Sequence, residues 1–165
     1  MELIAVRHGE SVANAALPVA DAAGLLAAGV PGRDADVPLS ERGRAQALAL
    51  GEWLAAHAPP DVVLCSPYAR ARETWALAGA ALPASADPPP VRLDERLRDR
   101  EAGVLELLTM AAIRDRFPDE VARRARVGEF YYRAPGGESF PDVALRLRGV
   151  LAEAAGRYAG HRVLG

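Results

Sequence analysis

Apolar residues along this chain fall into two kinds of run. Leu3-Ile4-Ala5-Val6 and Asp61-Val62-Val63-Leu64-Cys65 are short and nearly unbroken, which suits strands buried on both faces of a parallel sheet. Val91 to Leu93 is a weaker third run, and Arg162-Val163-Leu164 reads as the opening of a fourth strand. The other runs repeat at helical spacing. Behind a Ser40 N-cap, Ala47, Leu50 and Leu54 make one stripe of a helix to about Ala56, ended by Pro59-Pro60. Ser66-Pro67 opens a second helix through about Leu82, with proline in its first turn. A helical region spans Thr109 to Gly128, interrupted near Pro118. After the turn Pro135-Gly136-Gly137, Ser139 caps a last long helix to about Tyr158, whose stripe is Val143, Leu147, Val150, Leu151, Ala154 and Tyr158. Gly9 to Pro38 is a long polar stretch that is either functional or carries short helices of its own. Pro83 to Pro90 is a loop. Strands alternating with helices predict an α/β fold in three layers, with a mostly parallel central sheet flanked by helices. The 165 residues are expected to form a single domain.

Composition removes several kinds of chemistry. All 20 basic residues are Arg, so neither a Schiff-base lysine nor a phosphate-loop lysine is available. A net charge of −2 argues against nucleic acid or anionic lipid as the main partner. The single cysteine, Cys65, excludes an internal disulfide and a cysteine-clustered metal site. No apolar run approaches the ~20 residues that span a membrane. The start Met1-Glu2-Leu3-Ile4 lacks the charged and apolar regions of a signal peptide. A cytoplasmic enzyme or binding domain is the expectation.

Chemistry gathers after the first strand. In parallel α/β sheets ligands bind beyond the carboxyl ends of strands, which is where Arg7-His8-Gly9-Glu10 falls. The stretch Arg7-His8-Gly9-Glu10-Ser11-Val12-Ala13-Asn14 resembles the signature of the histidine phosphatase superfamily, in its phosphoglycerate mutase-like branch. Pro38-Leu39-Ser40-Glu41-Arg42-Gly43 with Gln46-Ala47, Ser66-Pro67-Tyr68-Ala69-Arg70-Ala71 with Thr74, and Pro135-Gly136-Gly137-Glu138-Ser139 are similar to further blocks of that family, in its order.

The resemblance implies a phosphomonoester hydrolase working through a phosphohistidine on His8. Arg7 and Arg70 would bind the phosphoryl group, a task suited to a planar fork that donates two hydrogen bonds. Asn14 would add an amide donor, with Glu10 and Ser11 also beside the substrate. No metal or cofactor is implied. The partner implied is a small phosphomonoester. Oligomeric state is open, a homodimer included.

The leaving oxygen needs an acid, which in the family is often Glu with a Gly four residues on. Leu97-Arg98-Asp99-Arg100-Glu101-Ala102-Gly103 fits best and puts Asp99 there, one methylene shorter. Glu95 is the competing register and Glu101 a third. The family also carries a second histidine after its last core strand. His161 precedes that strand and cannot be matched to it, so a C-terminally short domain is expected, lacking the last strand and helix of the family fold. Two alternatives to hydrolysis therefore stay open: mutase-type transfer to a sugar acid, and a silent phospho-ligand-binding module. The other notable side chains read as structural. His57 sits at a helix end, Cys65 in a strand, and Trp53 and Trp75 in helices. Arg123, Arg124 and Arg126 form a solvated helix face that could flank the pocket. Glu138 and Ser139 make a turn and a cap.

Overall fold

The computed structural model describes residues 1–83 and 88–165, so part of the Pro83 to Pro90 loop lies outside the described residues. Four strands form one sheet: β1 (Glu2–Ile4), β2 (Val62–Cys65), β3 (Val91–Leu93) and β4 (Arg162–Leu164). Their order is β1-β4-β2-β3 and every pairing is parallel. The described residues also form six helices: α1 (Val12–Ala22), α2 (Glu41–His57), α3 (Ala69–Ala80), α4 (Met110–Arg116), α5 (Pro118–Val127) and α6 (Phe140–Arg157).

The centre of the sheet is β4 and β2. Val163 aligns with Leu3 on one side and Val62 on the other. Val62, Val63, Cys65, Val163 and Leu164 are buried there, as continuous apolar runs require. The first strand departs from expectation. It starts and ends earlier than Leu3 to Val6, and Leu3 stays 41% exposed. The reason is position, because β1 is an edge strand and only part of it is covered. The same holds at the opposite edge, where Val91 and Leu93 of β3 are exposed.

Side-chain caps set the helix starts. Ser40 Oγ accepts from Gly43 N at 3.0 Å and opens α2. Thr109 opens α4 in the same way, through Ala112 N. Pro118 at the first position of α5 separates it from α4, which is the interruption expected. Pro67 does not lie in the first turn of α3. Tyr68 is its N-cap, and the helix ends at Ala80. The long stretch from Gly9 to Pro38 contains α1, started by a capping box between Ser11 and Asn14 and tolerating Pro18 inside it.

Two apolar clusters hold these layers. Leu54 of α2, Val63, Cys65 and Leu164 pack under Val6, Leu50 and Trp75. Leu105, Ile113, Tyr132 and Ala134 form a second cluster with Phe117 and Val121, away from the sheet. Of the stripe expected on α6, Val150 and Ala154 are buried, whereas Leu151 is 47% exposed.

Candidate active site

Because all strands run the same way, the segments that follow β1, β2 and β3 leave from one edge of the sheet. These segments carry His8, Ser66 to Arg70, and Asp94 to Gly103.

The His8 loop is bolted to two helices. Gly9 N donates to Thr74 Oγ1 at 3.0 Å, and that hydroxyl donates to Arg70 O at 2.7 Å. A Cβ on Gly9 would lie 2.4 Å from Gly43 O, and one on Gly43 would lie 2.0 Å from Glu10 O. Only two glycines allow this contact between the loop and the first turn of α2.

The loop fixes the imidazole. His8 Nδ1 lies 2.7 Å from Gly9 O. A carbonyl can only accept, so Nδ1 carries the proton and Nε2 keeps its lone pair. Arg70 Nε donates to Nε2 at 3.2 Å. Burial lowers the His8 pKa from its ordinary 6.5, helped by Arg70 and Arg7 and opposed by the Gly9 hydrogen bond and Asp99. The neutral ring is therefore the favoured form.

The two arginines differ. Arg70, near the start of α3, is only 3% exposed. Its guanidinium lies 4.8 Å from the centre of the Tyr68 ring. Nη1 donates to Asp34 O at 2.7 Å and Asp34 Oδ1 at 3.0 Å. Nη2 donates to Asp34 Oδ2 at 3.0 Å and Asp99 Oδ2 at 3.1 Å. Arg7 is exposed and lines the same cavity as His8. Among the described residues it makes no hydrogen bond or ion pair.

The three acids expected near the leaving group separate. Asp99 lines a cavity of about 420 Å³ together with His8, Arg7 and Arg70. Glu95 is exposed in a short 3-10 turn and does not line it. Glu101 is turned away and accepts from Tyr68 Oη at 2.9 Å. The Tyr68 hydroxyl is held protonated, its pKa pushed up by burial and then by Glu101.

The residues expected beside the substrate take different places. Asn14 is exposed and lines a groove with Arg7, His8 and Gln46. Its Oδ1 accepts from Ser11 N at 3.1 Å, which leaves the amide NH2 outward as a donor. Ser11 is 1% exposed, and its Oγ accepts from Asn14 N in the helix cap. Glu10 accepts from Ser40 Oγ at 2.7 Å and lies 3.6 Å from Arg42, so its carboxylate ties the loop to α2.

Glu138 does more than form a turn. Its carboxylate accepts from Arg98 Nη2 at 2.6 Å, from Arg146 Nε and Nη2 at 2.9 Å each, and from Glu101 N at 3.2 Å. Arg146 also donates to Arg96 O and Asp99 O, so this network braces the segment that carries Asp99. Burial alone would raise the Glu138 pKa, but the arginines and the Glu101 amide bring it below its ordinary value.

Other notable side chains lie outside this polar cluster. His57 stacks on Trp53 with ring centres 4.4 Å apart. Arg123 and Arg124 lie over the Tyr132 ring, outside the cavity. His161 is exposed before β4. Cys65 and Trp75 line the apolar wall of the cavity, and burial raises the Cys65 pKa, which disfavours its thiolate. Among the described residues no group of three His, Cys, Asp or Glu is placed to hold a metal ion.

The chain is similar to known proteins in both sequence and fold. A family model for the histidine phosphatase superfamily (branch 1) matches residues 3–165. A 2,3-bisphosphoglycerate-dependent phosphoglycerate mutase of Gloeobacter violaceus is 37% identical over 146 residues, which is 87% of this chain and 58% of the mutase. This chain thus spans less than two thirds of that relative. YhfR of Bacillus stearothermophilus superposes with a TM-score of 0.76 at 28% identity, over 98% of this chain and 71% of that one. A mycobacterial glucosyl-3-phosphoglycerate phosphatase, solved with VO3, superposes with a TM-score of 0.72 at 30% identity, over 98% of this chain and 73% of that one.

Proposed function

The chain belongs to the histidine phosphatase superfamily, and from that premise we propose that it is a phosphomonoester hydrolase acting through a phosphohistidine on His8. The observation that carries this reading is the state of the His8 ring. Its Nδ1 proton is tied to Gly9 O, and its Nε2 lone pair faces a buried guanidinium inside the cavity.

The chemistry follows in two displacements. His8 Nε2 attacks phosphorus and the bond from phosphorus to the ester oxygen breaks. Asp99 serves as the general acid, passing a proton to that oxygen, which leaves as an alcohol. Water then attacks the phosphoryl group on Nε2 while Asp99, now a carboxylate, takes its proton. Inorganic phosphate departs and His8 is restored. Arg7 brings uncommitted positive charge to the transferring oxygens, Arg70 brings charge held rigidly in the wall, and Asn14 contributes its outward amide. Glu10 and Ser11 serve the loop rather than the phosphate. We assign one domain to residues 1–165 and a cytoplasmic setting, where the lone Cys65 stays reduced.

A second reading is mutase-type transfer, favoured by the phosphoglycerate mutase relative. One experiment separates the two. The protein is incubated with a panel of phosphomonoesters that includes 2- and 3-phosphoglycerate, and free phosphate is followed alongside isomer composition. Hydrolysis gives free phosphate that is lost in His8→Ala. Interconversion of the phosphoglycerates without free phosphate would replace the hydrolase reading with the mutase one.

A further inference from the structure

A guanidinium has five N–H donors, and at Arg70 every one is already taken. Nε serves His8, Nη1 serves the carbonyl and Oδ1 of Asp34, and Nη2 serves Asp34 Oδ2 and Asp99 Oδ2. The paired contact from both terminal nitrogens to one carboxylate is the geometry that a phosphoryl group adopts on arginine. A phosphoryl dianion and the Asp34 carboxylate cannot both hold this fork, because like charges would be forced together in a buried site.

We infer that Asp34 is a built-in occupant of the phosphoryl fork of Arg70, displaced when substrate binds, and that it restricts the site to doubly charged phosphoryl groups. The inference rests on the reading of Arg70 as a phosphate ligand.

The local structure suits such a gate. Arg70 itself cannot retreat, being buried and backed by the Tyr68 ring. The Asp34 side chain is 26% exposed, so its carboxylate has solvent to swing into. Its backbone is anchored, because Asp34 N donates to Glu106 Oε1 at 2.6 Å and Val37, three residues on, is buried. A turn of the Asp34 side chain therefore opens the fork without unfolding the 3-10 segment Asp34–Asp36. Asp34 leaves a cation rather than bulk apolar wall, so only an anion that bonds the fork more strongly than a carboxylate displaces it. A phosphomonoester, with about two charges near neutral pH, meets that demand. A singly charged phosphodiester or a carboxylate does not.

The test is calorimetric titration with inorganic phosphate of the wild type, Asp34→Asn, Asp34→Ala and Arg70→Ala, each checked for folding by thermal melting. Loss of a charge-assisted competitor is expected to tighten phosphate binding about ten-fold or more in both Asp34 variants, with binding lost in Arg70→Ala. Wild-type binding that is lost in Arg70→Ala but unchanged or weaker in the Asp34 variants overturns the gate and leaves the hydrolase reading standing. Absence of binding in the wild type and in both Asp34 variants overturns the reading of Arg70 as a phosphate ligand, and the gate with it. Should either Asp34 variant fail to fold, a crystal structure of the wild type with inorganic phosphate decides. The gate requires the Asp34 carboxylate to have left Arg70, and a bidentate Asp34 beside bound phosphate contradicts it.

Discussion

At the scale of single residues, the site works by keeping a histidine neutral among cations. Burial and the two arginines disfavour the imidazolium, and the neutral ring is the form the proposed attack on phosphorus requires. Protonation of His8 should therefore abolish kcat/KM only below its ordinary 6.5. A pH profile whose acid limb lies below 6.5, matched by NMR titration of the ring, is the expected result; a limb at or above 6.5 contradicts the site as drawn. Asp99 raises the His8 pKa, so Asp99→Asn should move that limb further down. The same variant should slow hydrolysis of an alkyl phosphate about 100-fold or more, because its leaving group needs a proton, and nitrophenyl phosphate far less. Equal losses on both substrates would point to a role for Asp99 other than proton donation. That His8, Arg7, Arg70 and Asp99 share one cavity was legible in the sequence because each sits in a short block with its own spacing. Asp34 was not, since its meaning lies in a partner 36 residues along the chain that no local pattern announces. Ser11 shows the converse: its block resembles a ligand signature, while its oxygen accepts from the Asn14 amide at the helix start.

At the scale of elements, precision comes from bracing rather than from regular structure. Asp99 sits on an irregular stretch after an exposed edge strand, and what braces it is the carboxylate of Glu138 with Arg98 and Arg146. Both Glu138 and Arg146 side chains are only 11% exposed. Removing one partner of such a pair leaves the other charged and poorly solvated, so Glu138→Gln should cost about 3 kcal/mol. Thermal melting should show a drop of roughly 10 °C for a chain of this size. Because the Glu138 pKa is depressed, the unfolded state binds the extra proton first as pH falls. The stability from this group is complete above its ordinary 4.5 and is lost as pH drops through the lower folded value. That part of the acid sensitivity should vanish in Glu138→Gln; an acid-unfolding curve unchanged between the two proteins would contradict the network. Helices α2, α4, α5 and α6 were readable from caps and apolar spacing, which are local signals. The first helix was hidden by Pro18 within a Gly-rich stretch, and the exposure of β1 and β3 was hidden because an apolar run does not say which strands lie at the sheet edge.

At the scale of the whole molecule, strand order explains why the site exists at all. With β4 between β1 and β2, the chain passes the carboxyl edge of the sheet after each of its first three strands, and each passage delivers one part of the chemistry. His8 comes after β1, the buried Arg70 after β2 and Asp99 after β3. No helix among the described residues is long and apolar enough to cross a membrane. The α/β class and parallel sheet followed from alternating runs, but the central place of the C-terminal strand did not, because pairing partners far apart in sequence leave no periodic trace. Covalent catalysis at His8 is tested by a trapping experiment. The protein is mixed with a phosphomonoester radiolabelled in its phosphoryl group, quenched in denaturant at alkaline pH and digested. A phosphohistidine at His8 gives acid-labile, alkali-stable phosphate on the peptide that contains His8, absent in His8→Ala. Release of free phosphate with no label on that peptide at any time, or with equal label in His8→Ala, would contradict it.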